Sequence, residues 1–247
     1  MDRPEDLLSR PSSARIYDAA LGGKQNLGAD RAALASTRAL SPTTAQALIA
    51  HHQQVHRVVR YLAVQGIDQF LLVGSGLPSA LPPHATILPL NPLARVVYAD
   101  RDPLALGHAR ALFTSDRVRI ADCDISHPED ALGHPFLDWD RPVAAAVLSM
   151  HEVAHSPVPA YRAALAPGSF LWLTLCSLDG FPQEVRATVR DMRLGLTFRT
   201  VRECQELLDG LELVEPGLAW VSQWRPDGTG PAIVPEHCGW LTAVARL

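Results

Sequence analysis

Apolar residues along this chain gather in short unbroken runs, separated by stretches with helical spacing. The runs cover 69–73 (QFLLV), 95–100 (RVVYAD), 118–123, 143–150 and 169–176. A strand whose two faces are both covered needs continuous apolar residues, so these runs predict a mainly parallel sheet. Two further strands are predicted at Leu211–Glu215 and Gly239–Arg246, joined by the polar loop Trp224–Pro235, an ending that suits an antiparallel last strand. The helices are marked by their ends. Ser12 or Ser13 caps Ala14–Leu21, which Gly22-Gly23 stops, and Asp30 caps Arg31–Leu40. Ser41-Pro42 opens a long helix running to Gln65, with Gly66 just past it. Asp102-Pro103 starts a helix through Phe113, Pro182–Arg193 is another, and Thr200-x-x-Glu203 is a capping box opening a helix through Leu208.

The first strand ends in Gly74-Ser75-Gly76, a turn that lets the backbone bend sharply and approach a ligand. Alone, such a pair is an ordinary tight turn. The second strand ends in Asp100, at the spacing where an acid holds a ribose hydroxyl pair. Ligands of open α/β sheets bind at the carboxyl ends of the strands, so Gly74, Asp100, Asp124 and His151 should converge. On the long helix, Leu48, Val55, Val58, Val59 and Leu62 share one face, while His51, His52 and His56 form an imidazole cluster. That cluster reads either as a solvated or core-edge face or as part of a site.

Composition then narrows the class. With 247 residues, 47% of them hydrophobic, the chain can bury a full core as a single α/β unit. A net charge of −4 with no basic block argues against nucleic acid. No apolar stretch reaches membrane-spanning length and the first residues do not open a signal peptide, so a cytoplasmic protein without membrane contact is expected. Cys123, Cys176, Cys204 and Cys238 are scattered without metal-ligand spacing and read as free buried thiols.

His151-Glu152-Val153-Ala154-His155 matches the HExxH zinc motif. The motif works only on a helix, where both imidazoles share a face. Here a strand runs straight into it and Pro157 and Pro159 follow, so no metal is assigned. His151, Glu152 and His155 remain candidates for general base or substrate contact at a strand's carboxyl end.

Several segments together carry a resemblance: RPSSARIYDAALGGKQNLGAD at 10–30, RYLAVQGIDQFLLVGSGLPS at 60–79, RVVYADRDPLALGHARAL at 95–112, LAPGSFLWL at 165–173 and LELVEPGLAWVSQWRPDG at 211–228. The chain resembles the actinobacterial S-adenosylmethionine-dependent methyltransferase-like family, long catalogued as a domain of unknown function. The resemblance implies an α/β class I methyltransferase fold, a seven-stranded Rossmann-like sheet with the last strand antiparallel. It also implies an N-terminal helical lid over 1–66, ahead of the α/β domain at 67–247. It places Gly74, Ser75 and Gly76 beside the methionine part of S-adenosylmethionine, Asp100 on its ribose and Asp124 near the adenine. His151 would face the substrate, and Tyr17, Asp18, Lys24 and Asn26 would line the lid.

The departures cluster on the cofactor and substrate side. The family's acid two residues before the first glycine is Leu72 here, and its Asn-Arg pair on the long helix is His51-His52. A family histidine in the fifth strand is Leu175. The helix after the glycine turn becomes Pro82–Pro89, where an interior proline costs about 3 kcal/mol, so that helix is expected to be short or absent. The first expectation is therefore a retained fold that no longer methylates. It would catalyse a positioned displacement such as ring closure within a natural-product precursor, beside a second subunit. His51, His52, His151 and Lys24 would supply the base and the cations for a departing anion, with Tyr17, Glu152 and His155 nearby. The alternatives are an active methyltransferase of a small molecule, homo-oligomeric or alone, and a non-catalytic partner subunit.

Overall fold

Residues of odd and even number along each apolar run face opposite sides of one sheet. The computed structural model describes residues 9–79, 81–191 and 196–247. The strands are β1 Gln69–Val73, β2 Arg95–Asp100, β3 Val118–Asp122, β4 Ala144–Val147, β5 Phe170–Cys176, β6 Glu212–Leu213, β7 Ala219–Trp220 and β8 Trp240–Arg246. Their order is β3-β2-β1-β4-β5-β8-β6, with β7 also on β8. β1 to β5 pair in parallel and β8 runs antiparallel to β5, β6 and β7. The antiparallel final strand is as the sequence predicts. The sheet has one strand more than expected, the two-residue β7.

Leu71, Val73, Val97, Ala145, Val147, Leu171 and Leu173 face one layer, where Tyr161, Cys204 and Leu208 close the core. Phe70, Leu72, Val96, Tyr98, Ala144, Ala146 and Trp172 face the other, against Val55, Val58, Val59, Leu62 and Ile87. Both faces are covered, which is why the runs are unbroken.

The helices are α1 Ser13–Ala20, α2 Gly28–Leu40, α3 Thr44–Val64, α4 Pro83–Leu90, α5 Pro103–Leu112, α6 Val158–Ala164, α7 Gln183–Asp191 and α8 Val201–Glu206. Asp102 caps α5 through the Leu104 amide, and Thr200 and Glu203 form the expected capping box of α8. Several boundaries differ from expectation, three of them with a clear local cause or consequence. α2 starts at Gly28, and Asp30 sits inside its first turn. Its carboxylate reaches back to the amides of Leu27 and Ser12 and pairs with Arg15 at 2.9 Å. α3 begins at Thr44 because Ser41 to Thr44 form a separate turn. β4 stops at Val147, short of the predicted Met150, and residues 150–152 form a single 3-10 turn. Part of the helix predicted over Pro182–Arg193 lies outside the described residues.

The helix expected to be short or absent is present as α4, eight residues long with Pro89 inside it. Pro82 and Pro83 suit its cap and first position, where no amide bond is lost. Pro89 forfeits one bond in the last turn, and packing outweighs it. Ile87 is fully buried, and His56 of α3 is hydrogen-bonded to Thr86 Oγ1 at 2.7 Å and to the Leu81 carbonyl at 3.1 Å. α3 is locked to the sheet by Gln54, whose amide donates to Thr242 Oγ1, which also accepts from the Trp172 indole. All four cysteines are free and buried. Among the described residues no helix is long and apolar enough to cross a membrane.

Candidate active site

The strand order reverses between β1 and β4, and a crevice at such a switch point is where an open α/β sheet takes its ligand. A cavity of about 1050 Å3 opens there. One end is built by the exits of β1, β2 and β4. Gly74 and Ser75 both donate their amides to the Ala99 carbonyl, and Gly74 and Gly76 hold φ of 70° and 65°. A Cβ on Gly74 would lie 2.8 Å from the Ser149 side chain, so glycine is required on steric as well as conformational grounds. The Gly76 amide donates to Asp100 Oδ2 at 2.7 Å, and the Asp102 amide to Asp100 Oδ1 at 2.9 Å. Burial raises the Asp100 pKa against the pull of those two amides. Glu152 adds a second carboxylate, hydrogen-bonded by Ser13 of α1 and 3.8 Å from Arg101.

The other end is apolar and holds the imidazoles. Tyr17 Oη lies 2.8 Å from His51 Nδ1. The rings of His51 and His151 pack on Trp240, with centroids 4.6 and 4.8 Å away. Burial lowers the His51 pKa to about 3, helped by the charges of His151 and His52. Burial and the Arg199 charge lower that of His151 to about 4. Both are neutral at physiological pH. Arg199 fixes the His151 turn by donating to the carbonyls of Met150, Val153 and Ala154.

Of the residues singled out from sequence, Tyr17, His51, His52, Gly74, Ser75, Gly76, Asp100, His151 and Glu152 all line this cavity. Lys24, His155 and Asp124 do not. Lys24 is exposed on the turn after α1, where Asp18 draws in the Gln25 amide and the Asn26 side chain and turns the lysine out. His155 is exposed beyond the 3-10 turn, so it shares no helix face with buried His151 and the zinc geometry does not form. Asp124 pairs with Arg101 at 3.1 Å and accepts the Ser126 amide, which together hold its carboxyl below the usual range. Asp18 is likewise spent on its own turn and does not line the cavity, whereas Glu152 does. Leu72 is 1% exposed and packs in the core. Leu175 is buried on the opposite sheet face.

Sequence reasoning missed Ser13, Tyr98, Arg101, Ser149 and Trp240, and also the α7 residues Val185 and Val189 as lining. Trp240 reaches the site because β8 pairs it with Cys176 of β5, a register with no local signal.

Residues 4–247 match the family model described as S-adenosyl methyltransferase. The chain belongs to the S-adenosyl methyltransferase family. A solved candidate methyltransferase from Thermobifida fusca YX is 38% identical over 98% of this chain and 97% of its own, with a TM-score of 0.87. A DUF574 family protein from Streptomyces avermitilis MA-4680 is 33% identical over 97% and 98%, with a TM-score of 0.89. The plantazolicin methyltransferase BpumL, solved with SAH, is 11% identical over 98% of this chain and 97% of its own at a TM-score of 0.56, a likeness of fold alone. No protein with a curated description matches the chain. As a member of this family, the protein has a class I methyltransferase fold.

Proposed function

We propose that the protein is an active methyltransferase, moving a methyl group from S-adenosylmethionine to a small, largely apolar acceptor. The observation that carries this reading is the division of charge along the cavity. Asp100 stands at the glycine turn, Glu152 lies near both it and His151, 4.0 Å from His151 Nε2, and neutral imidazoles and apolar side chains line much of the rest. The residues present fit the cofactor. A Cβ on Gly76 would meet nothing nearer than Ala14 at 3.7 Å, so backbone can approach a ligand there, and Tyr98, Leu104 and Phe113 offer an apolar wall beside Asp100. Bound there, S-adenosylmethionine would supply a methyl carbon that an acceptor lone pair takes while the carbon–sulfur pair stays on sulfur as a neutral thioether.

A neutral leaving group needs no cation. An anionic one does, and of the expected cations His51 and His151 are held neutral, burial lowers the His52 pKa, and Lys24 does not line the cavity. Of the lining arginines, Arg15 is paired with Asp30 and Arg101 with Asp124 and Glu152, while Arg10 is an exposed lining residue. His51 and His151 are suited instead to take the proton the acceptor loses. Asp100 holds the glycine turn and keeps oxygen lone pairs for a diol.

Calorimetric titration tests this. S-adenosylmethionine and S-adenosylhomocysteine should bind in the micromolar range, and Asp100→Ala should weaken both by about tenfold or more. Absence of binding would sink the reading. It would also turn attention to a second one, intramolecular displacement in natural-product assembly beside a partner subunit, which the apolar Leu72 at the first glycine turn favours.

A further inference from the structure

Two imidazoles of the cavity wall each have a ring nitrogen with no hydrogen-bond partner: Nε2 of His51 and Nδ1 of His151. Both residues are 5% exposed, and both rings rest on the Trp240 indole. Leaving a buried polar atom unpaired is unfavourable, and such atoms call for a partner. Two of them in a ligand-sized cavity point to a partner that the ligand brings. The surrounding wall narrows its chemistry. The lining from α3, α7, the segment after β5 and the approach to β8 includes Leu48, Leu178, Phe181, Val185 and Phe198, and none of its described residues is Asp, Glu, Lys or Arg. A carboxylate or phosphate would enter that region without a counter-charge, and the Glu152 carboxylate, 4.0 Å from His151 Nε2, would repel it.

We infer that this end of the cavity binds an uncharged aromatic hydroxyl compound, its ring against Trp240, Phe181 and Phe198 and its hydroxyl on the free nitrogens of His51 and His151. A hydroxyl both donates and accepts, and the two imidazoles offer one of each. With the Tyr17 hydroxyl donating to Nδ1, His51 carries its proton on Nε2 and donates to the ligand oxygen. His151 keeps its proton on Nε2, facing the Glu152 carboxylate at 4.0 Å, so its Nδ1 accepts the ligand proton. The second oxygen lone pair stays open. The inference deepens the methyl-transfer reading and rests on it only in naming this compound the substrate.

The probe is 4-nitrophenol with the full-length, cofactor-free protein, because its absorbance separates phenol from phenolate. It should bind saturably, and its apparent pKa should rise on binding, since the described residues around the two imidazoles offer its anion no cation and the Glu152 carboxylate repels it. 4-Nitrobenzoate should not compete. His51→Leu and His151→Leu should each weaken 4-nitrophenol roughly three- to tenfold, while nitrobenzene and S-adenosylhomocysteine stay within about twofold. No saturable binding, a fall in the apparent pKa, or equal losses for nitrobenzene and 4-nitrophenol would overturn the inference. If S-adenosylhomocysteine binds and the phenol does not, the substrate class fails and methyl transfer stands. If the phenol binds and S-adenosylhomocysteine does not, the site stands and methyl transfer fails.

Discussion

Acidification should destabilise this protein well above the range where carboxylates titrate, because three buried histidines are neutral in the fold. Burial lowers His51 to about 3, with His151 and His52 adding to it, and lowers His151 to about 4, with Arg199 adding to it. His56 falls to about 4, chiefly by burial and then by the His52 charge, against the pull of the Leu81 carbonyl. An unfolded histidine titrates near ~6.5. All three folded values lie below that, so between about pH 6.5 and 4 the unfolded chain binds more protons. Their stabilisation is complete above the unfolded pKa and is lost as pH falls through this window. Three protons give a limiting slope of about 4 kcal/mol per pH unit, or roughly 5 kcal/mol between about pH 6.5 and 5. Asp100 works the other way, because its raised pKa lets the folded state hold a proton longer, and it offsets part of the loss. A loss of this size compares with the whole stability of an ordinary domain, about 5–15 kcal/mol. Urea unfolding at a series of pH values across the window measures it, and His56→Gln should remove one proton from the slope. A slope below about 1.4 kcal/mol per pH unit, one proton's worth, would mean that at most one of these imidazoles is held neutral.

Gly74→Ala sets a Cβ 2.8 Å from Ser149 at a φ of 70°. The backbone strain alone costs about 1–2 kcal/mol, so a lower urea midpoint and weaker S-adenosylhomocysteine binding are expected. An unchanged midpoint would mean that the turn relaxes freely. Arg199→Met frees the carbonyls of Met150, Val153 and Ala154 and removes a positive charge near His151. Stability should drop by about 2–4 kcal/mol and the His151 pKa, followed by NMR, should rise. Leu72→Asp, which restores the family's acid, would place a carboxylate in an apolar cluster at a position 1% exposed. It should destabilise by about 3 kcal/mol or more without tightening S-adenosylhomocysteine. A gain in affinity would show that the side chain turns toward the glycine loop.

The parallel strands were legible because each is covered on both faces, and the α5 and α8 starts because a cap is a local event. α6 escaped notice for the opposite reason: Pro157 and Pro159 read as breakers, yet they occupy its first turn, where no amide bond is lost. α4 was expected to be short or absent on the cost of Pro89; it is short, at eight residues, and Ile87 and the His56 bonds to Thr86 and Leu81 hold it in place. The site divides the same way. Glycines and acids at strand ends point one way by topology, so Gly74, Gly76 and Asp100 were legible. Lys24, Asp124 and His155 stand on turns, where sequence gives position but not direction. Trp240, the surface on which both imidazoles rest, depends on a pairing between β5 and β8 far apart in sequence.

The charge pattern gives the departures from the family a physical reading. A cation brought to the Asp100 and Glu152 end lowers any imidazole nearby still further, by simple repulsion. On the proposed reading, His51 and His151 would therefore stay unprotonated with a sulfonium bound, the state in which an imidazole can accept a proton. A cavity made to stabilise a departing anion would need the reverse, with imidazoles raised by a carboxylate and exposed enough to stay charged. Here Trp240 and Tyr17 pack against His51, and burial, with the neighbouring imidazoles of His151 and His52, pushes its pKa down. Where the resemblance implies an Asn-Arg pair, this chain has His51-His52, two groups whose pKa values burial lowers. On the proposed reading, that composition favours an uncharged acceptor, with the methyl donor's charge matched by Asp100 and Glu152.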